Sequence, residues 1–210
     1  MRNDYRTVKE RGEAEIIIKK SRFIATVTRA ETEEEATAFI AEVKKTHHSA
    51  THNCSAYLIG EHDQIQKAND DGEPSGTAGV PMLDVLKKQG LKDTAVVVTR
   101  YFGGIKLGGG GLIRAYGSAV SEVLKETGTV ERRQYRLMKA TVDYTWLGKV
   151  ENEVRLSSYP LDHIDYADAV SLYIYVPAAE EDNFREWMED LTNGQAELSS
   201  ERSEFLEFDI

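Results

Sequence analysis

The chain has 210 residues, 40% of them hydrophobic and 30% charged, which is enough for one large domain or two of ordinary size. Its single cysteine, Cys54, excludes an internal disulfide, and the charged start MRNDYRTVKERGEAE offers no apolar segment for a signal peptide or a membrane span. A cytoplasmic protein is expected. The net charge of −10 argues against a broadly nucleic-acid-binding surface, but it is unevenly placed. Residues 1–135 carry 20 Lys+Arg against 19 Asp+Glu, whereas residues 136–210 carry 6 against 17. That asymmetry predicts two domains with different surfaces, residues 1–132 and 136–210.

In chain order, Glu15–Lys19 and Arg22–Thr28 read as strands, the second with Phe23, Ala25 and Val27 alternating. Thr32 with Glu35 three residues later forms a capping box ahead of a helix whose apolar stripe is Ala36, Phe39, Ile40 and Val43. Asn53–Ile59 and Gln64–Ala68 read as a hairpin. The aperiodic loop DDGEPSGTAG follows, Asp70 to Gly79, and then a helix from Pro81 that ends at Gly90. Thr94–Thr99 is a β-branched apolar run of the kind found in a central strand covered on both faces. Leu112, Ile113, Tyr116, Val120, Val123 and Leu124 mark a long helix stopping at Gly128. Glu131, Arg132 and Arg133 suit a charged connector near 129–136. Beyond it the periodicities give strand, helix, two strands, helix, strand, a βαββαβ order expected of a ferredoxin-like domain.

Between the central strand and the long helix lies RYFGGIKLGGGGLIRAYG, Arg100 to Gly117, which holds seven of the 16 glycines. Glycine loses more backbone entropy on folding than any other residue, so the cluster implies positive φ or close approach to the main chain. A helix start offers unpaired N–H groups and partial positive charge, and Arg100, Lys106 and Arg114 point to an anionic visitor. Tight packing against the sheet is the competing explanation for Gly103, Gly104, Gly108 and Gly109. No Lys-Ser/Thr pair follows the glycines, which excludes a Walker loop, and no acidic residue stands where a dinucleotide-binding fold needs one. Arg100, Tyr101 and Phe102 place a cation beside two aromatics, one expected in the core and one exposed for stacking on a base. Asp70, Asp71 and Glu73 could hold Mg²⁺ or form an ordinary ordered loop. His47, His48, His52 and Cys54 fit no standard zinc spacing, and buried, inert Cys54 is the better reading. No complete catalytic constellation, no metal site and no cofactor is expected.

The motifs DDGEPSGTAG and VVVTRYFGGIKLGGGGLIRAYG resemble the signature of the IMPACT family, and the bacterial YigZ-like branch is similar over the whole length. The resemblance implies an α+β protein of two domains. The first would have the fold of the second domain of ribosomal protein S-five, and the second would be ferredoxin-like, as in the last two domains of elongation factor G. Eukaryotic members regulate translation under amino-acid starvation by competing for an activator of a kinase. Their partner-binding module is not expected here, so that role does not carry over. The motif positions expected to be functional are Asp71, Glu73, Pro74, Thr77, Arg100, Gly103, Gly104, Gly108 and Arg114. Tyr101, Phe102, Lys106 and Gly109 join them on chemistry alone.

The expected function is that of a non-enzymatic regulator of translation with RNA or the ribosome, including a ribosomal protein, as partner. No membrane association or sequence-specific DNA recognition is expected, and the oligomeric state is left open. The alternative is a nucleotide- or phosphate-binding small-molecule enzyme using Gly108–Gly111, as the small-metabolite kinases of the galactokinase group use theirs.

Overall fold

The computed structural model describes residues 2–210. The chain divides into two compact units, one comprising Asp4–Arg132 together with Phe208–Ile210, the other built on Arg133–Glu207. The two-domain α+β class expected from the sequence is the one observed.

The first unit is organised by a fully antiparallel sheet in the order β2-β3-β6-β4-β5. Its strands are β2 (Gly12–Ile18), β3 (Ser21–Arg29), β4 (His52–Ile59), β5 (Ile65–Asn69) and β6 (Thr94–Tyr101). The run Ala95–Val98 is fully buried, because β6 is central and both its faces are covered. Helix α1 (Glu33–Thr46) lays Ala36, Phe39 and Val43 on one face, against Tyr57, Ile59, Ala95 and Val97. Helices α2 (Gly79–Lys88) and α3 (Gly109–Thr127) cover the other, where Met82, Leu86, Tyr116 and Val120 meet Phe23, Ala25, Val96 and Val98. Continuous apolar sequence in β6 thus follows from two-sided burial rather than from parallel pairing.

Local chemistry sets the ends of these elements. Thr32 Oγ1 accepts from Glu35 N–H, and the Glu35 carboxylate reaches back to Glu31 N–H rather than to Thr32. Helix α2 begins two residues before the expected Pro81, since the Asp70 carboxylate accepts from Ala78 N–H at 3.1 Å and Gly79 N–H at 2.9 Å. Lys19 and Lys20 close the β2–β3 hairpin with φ of 46° and 65°. Both central residues are therefore left-handed, as the twist-matched two-residue turn requires. A short strand that the sequence did not suggest, β1 (Tyr5–Val8), pairs antiparallel with Thr129–Arg132.

Those residues open β7 (Thr129–Val142), which corrects the expected charged connector. Glu131, Arg132 and Arg133 lie within a continuous strand, and a ladder outweighs the weak strand propensity of charged side chains. In the second unit β7 is followed by α4 (Tyr144–Leu156), β8 (Leu161–Tyr166), β9 (Val170–Pro177), α5 (Glu181–Thr192) and β10 (Glu197–Asp209). The strand order β10-β7-β9-β8 is the ferredoxin-like one. Val150 and Val154 of α4 and Phe184 and Met188 of α5 form a core with Met138, Ala140, Leu172 and Ile174. Among the described residues no helix is long and apolar enough to cross a membrane.

Candidate functional site

Two chain segments far apart in sequence, the loop after β5 and the glycine-rich stretch after β6, meet at the start of α3 around a cleft of about 410 Å³. Thr51 and His52 bring in the beginning of β4, Glu73 and Pro74 the loop, and Arg100 and Phe102 the end of β6. Lys106, Leu107, Gly108, Gly109 and Leu112 complete the lining.

The floor is an ionic pair. Arg100 Nη1 donates to Glu73 Oε1 at 2.7 Å, with the two side chains only 6% and 3% exposed. Tyr116 Oη donates to the same oxygen at 2.6 Å. The guanidinium also lies 5.4 Å from the Phe23 ring centroid and 5.3 Å from that of Phe102, and Arg100 Nε has no hydrogen-bond partner. Burial, and then the neighbouring Cys54 and Glu73, push the Tyr116 hydroxyl far above the ordinary tyrosine range, so it stays a donor. Cys54 beneath it gives its thiol hydrogen to Asp70 C=O at 3.0 Å, and burial pushes the thiol up to about 12. A thiol so placed is no nucleophile at neutral pH.

His52 stands at the rim of this pair. Its Nδ1 is 2.8 Å from Asp71 C=O, an acceptor, so Nδ1 carries the hydrogen, and Nε2 lies 3.6 Å from Glu73 Oε2. The opposite wall is the start of α3. Gly108 caps it with φ of 74° and no side-chain cap bond, and Leu112 N–H is the first to return, to Gly108 C=O. The N–H groups of Gly109, Gly110 and Gly111 have no partner among the described residues.

The glycines divide by cause. A Cβ on Gly103 would fall 2.1 Å from the backbone of Lys20, so close chain approach alone requires glycine there. Gly104 and Gly108 need glycine for their φ of 88° and 74°. Gly109 and Gly110 need it for neither reason: their φ is ordinary and the nearest atom to an added Cβ is Thr77 Cγ2, 4.0 Å from that of Gly109.

Several expected site residues are placed otherwise than as free recognition groups. Arg100, expected to pair with phosphate, is buried against Glu73, because strand β6 ends inside the sheet and its side chain turns under the loop. The three loop carboxylates diverge instead of forming a shared cation donor set. Asp70 accepts from Gly76, Ala78 and Gly79 N–H, Asp71 accepts from Asn53 N–H and pairs with Lys44, and Glu73 holds Arg100 and Tyr116. Thr77 is buried and donates to Pro74 C=O. Tyr101 is half-buried, its hydroxyl 2.9 Å from His47 Nδ1, while Phe102 is 47% exposed. Arg114 is exposed on α3 and does not line the cleft. His52, in the cleft lining, and the fully buried Tyr116 are the polar neighbours of Glu73 that sequence reasoning did not assign. Tyr116 sits in the apolar stripe of α3, and no local pattern marks a stripe tyrosine as a carboxylate's partner.

Comparison with known proteins completes the picture. The Impact N-terminal domain matches residues 19–124, and a domain of unknown function, DUF1949, matches residues 141–195. The chain is 60% identical over 207 residues to IMPACT family member YvyE of Bacillus subtilis (strain 168), spanning 99% of this chain and 95% of that one. To IMPACT family member YigZ of Escherichia coli (strain K12) it is 36% identical over 183 residues, 86% and 90% of the two chains. A solved structure described as a crystal structure of an hypothetical protein superposes with a TM-score of 0.60 at 33% identity, covering 96% and 99% of the two chains. The cleft, its ion pair and its glycine-rich wall are therefore features of a chain that belongs to the IMPACT family.

Proposed function

We propose that this is a non-catalytic cytoplasmic protein that modulates translation by binding RNA, free or in the ribosome, through the cleft of its first unit. The observation that carries this reading is the convergence, in one cleft, of the unpaired N–H groups at the start of α3, the exposed Lys106 and the exposed ring of Phe102. The first two suit a phosphate and the third a stacked base. Ring and phosphate donors at one site are the minimal equipment for holding a strand without reading its sequence. The overall charge of −10 then confines binding to this local patch.

The test is binding of single-stranded RNA and of purified ribosomes across a salt series, with Lys106→Ala and Phe102→Ala as variants. Each substitution is expected to weaken binding, Phe102→Ala by about 1–3 kcal/mol and Lys106→Ala with a shallower salt dependence. Wild-type affinity in both variants would remove the cleft from the interaction.

A further inference from the structure

The cleft carries two demands that a single ligand must meet together. The first is for an anion. Gly109, Gly110 and Gly111 present three unpartnered N–H groups at the positive end of a 19-residue helix, with the exposed Lys106 alongside. No protein atom lies within 3.4 Å of the Cβ that Gly109 or Gly110 lacks, so the approach is open.

The second demand is for a hydrogen-bond donor. Glu73 has a side chain 3% exposed, and both of its hydrogen bonds go to Oε1, from Arg100 and Tyr116. Among the described residues no hydrogen bond reaches Oε2, and His52 Nε2 lies 3.6 Å from it. His52 Nδ1 donates to Asp71 C=O, which holds the ring with Nε2 toward that oxygen. The His52 ring edge and the Glu73 carboxylate thus face each other in the lining of the cleft. A carboxylate oxygen that opens on the cleft without a protein donor can accept from a ligand hydroxyl or amine.

From this pairing we infer that the cleft takes a phosphomonoester carried on a nucleoside, its phosphate at Gly109–Gly111 and Lys106 and a ligand hydroxyl or amine at Glu73 and His52. A monoester offers three free oxygens and a charge of about −1.5 to −2, against two oxygens and one charge for an internal diester, so it alone uses all the donors at the helix start. The half-exposed ring of Phe102 supplies a surface for the base, and about 410 Å³ accommodates a mononucleotide. The inference rests on the reading of the cleft as a phosphate-recognising surface and narrows it to a phosphorylated end. That end can belong to a free mononucleotide or to an RNA strand.

The experiment measures affinities of the full chain for adenosine and uridine 5′-monophosphates, for one short RNA with a 5′-phosphate, a 3′-phosphate or neither, and for the parent nucleosides. Phosphorylated ligands are expected to bind at least about tenfold tighter than their unphosphorylated counterparts. Gly109→Val, whose Cβ has Thr77 Cγ2 at 4.0 Å as its nearest neighbour outside the helix, is expected to keep the fold and melting temperature while abolishing that preference. Equal affinity for phosphorylated and hydroxyl ends, or a preference that survives in Gly109→Val, overturns the inference. Equal and tight binding of all the RNAs overturns it while leaving the RNA-binding reading intact. Binding of the mononucleotides without any RNA upholds it and overturns that reading instead, and no binding of any ligand removes both.

Discussion

Glu73 and Arg100 are 27 residues apart in sequence and joined by a 2.7 Å ion pair that is almost entirely removed from solvent. Removing one member strands the other charge in a low-dielectric setting, where the cost of a broken buried pair is about 3–5 kcal/mol. Glu73→Ala is expected to lose that much in urea unfolding. Replacing both residues by apolar ones of similar volume is expected to recover most of it. A double variant no more stable than Glu73→Ala would show that the pair does not act as a unit.

Two glycines of the same stretch are expected to respond in opposite directions. Gly103→Ala sets a Cβ 2.1 Å from Lys20 backbone, which is too rigid to yield, and is expected to cost at least about 2 kcal/mol. Gly110→Ala meets no protein atom within 4 Å and lies in α3, so it is expected to raise stability by about 0.5–1 kcal/mol. Melting temperatures of the two variants compare them directly.

Asp70 ties the loop to α2 through three backbone N–H groups. Burial works to raise its carboxyl, and the bonds from Gly76, Gly79 and Ala78 outweigh that, leaving it below its usual 3.8. A depressed carboxylate contributes in full above its unfolded value, and the contribution fades as pH falls below about 4. Asp70→Ala is expected to cost about 1–3 kcal/mol at neutral pH and to flatten the acid limb of stability. Urea midpoints from pH 7 down to pH 3 check both.

At alkaline pH the sign reverses. Burial lifts Cys54 from 9.0 to about 12, and burial followed by the Glu33 hydrogen bond lifts Tyr57 from 10.0 to about 12. Both hold their protons more firmly when folded, so their contributions are whole below 9.0 and are lost as pH climbs toward 12. Native Cys54 is expected to resist iodoacetamide at pH 8 and to react fully in denaturant. Rapid alkylation of the folded protein would contradict the burial of Sγ.

Most of the fold was legible because its elements announce themselves locally: the Thr32 cap of α1, the two-sided apolar run of β6, the glycine that ends α3. Strand β1 was not, since Tyr5–Val8 is too short to show a period, nor was the opening of β7, where charged residues alternate in a ladder partnered from afar. The site was legible in part. Glycine and cation spacing marked the wall of the cleft, whereas its floor depends on contacts between Glu73, Arg100 and Tyr116 that tertiary folding alone creates. Arg100 is the instructive case: a cation beside aromatics reads as a surface reader, and strand topology puts it inside.

The way β7 leaves the first unit and β10 re-enters it has a practical consequence for anyone dissecting this chain. Ile210 N–H donates to Thr129 C=O at 3.3 Å and Asp209 pairs with Lys9 at 2.8 Å, while on β1 Val8 pairs with Thr129. Phe208–Ile210 therefore belongs with Asp4–Arg132, and residues 133–207 are an insertion between these two pieces of the first unit. A fragment stopped at residue 132 would lack its closing segment.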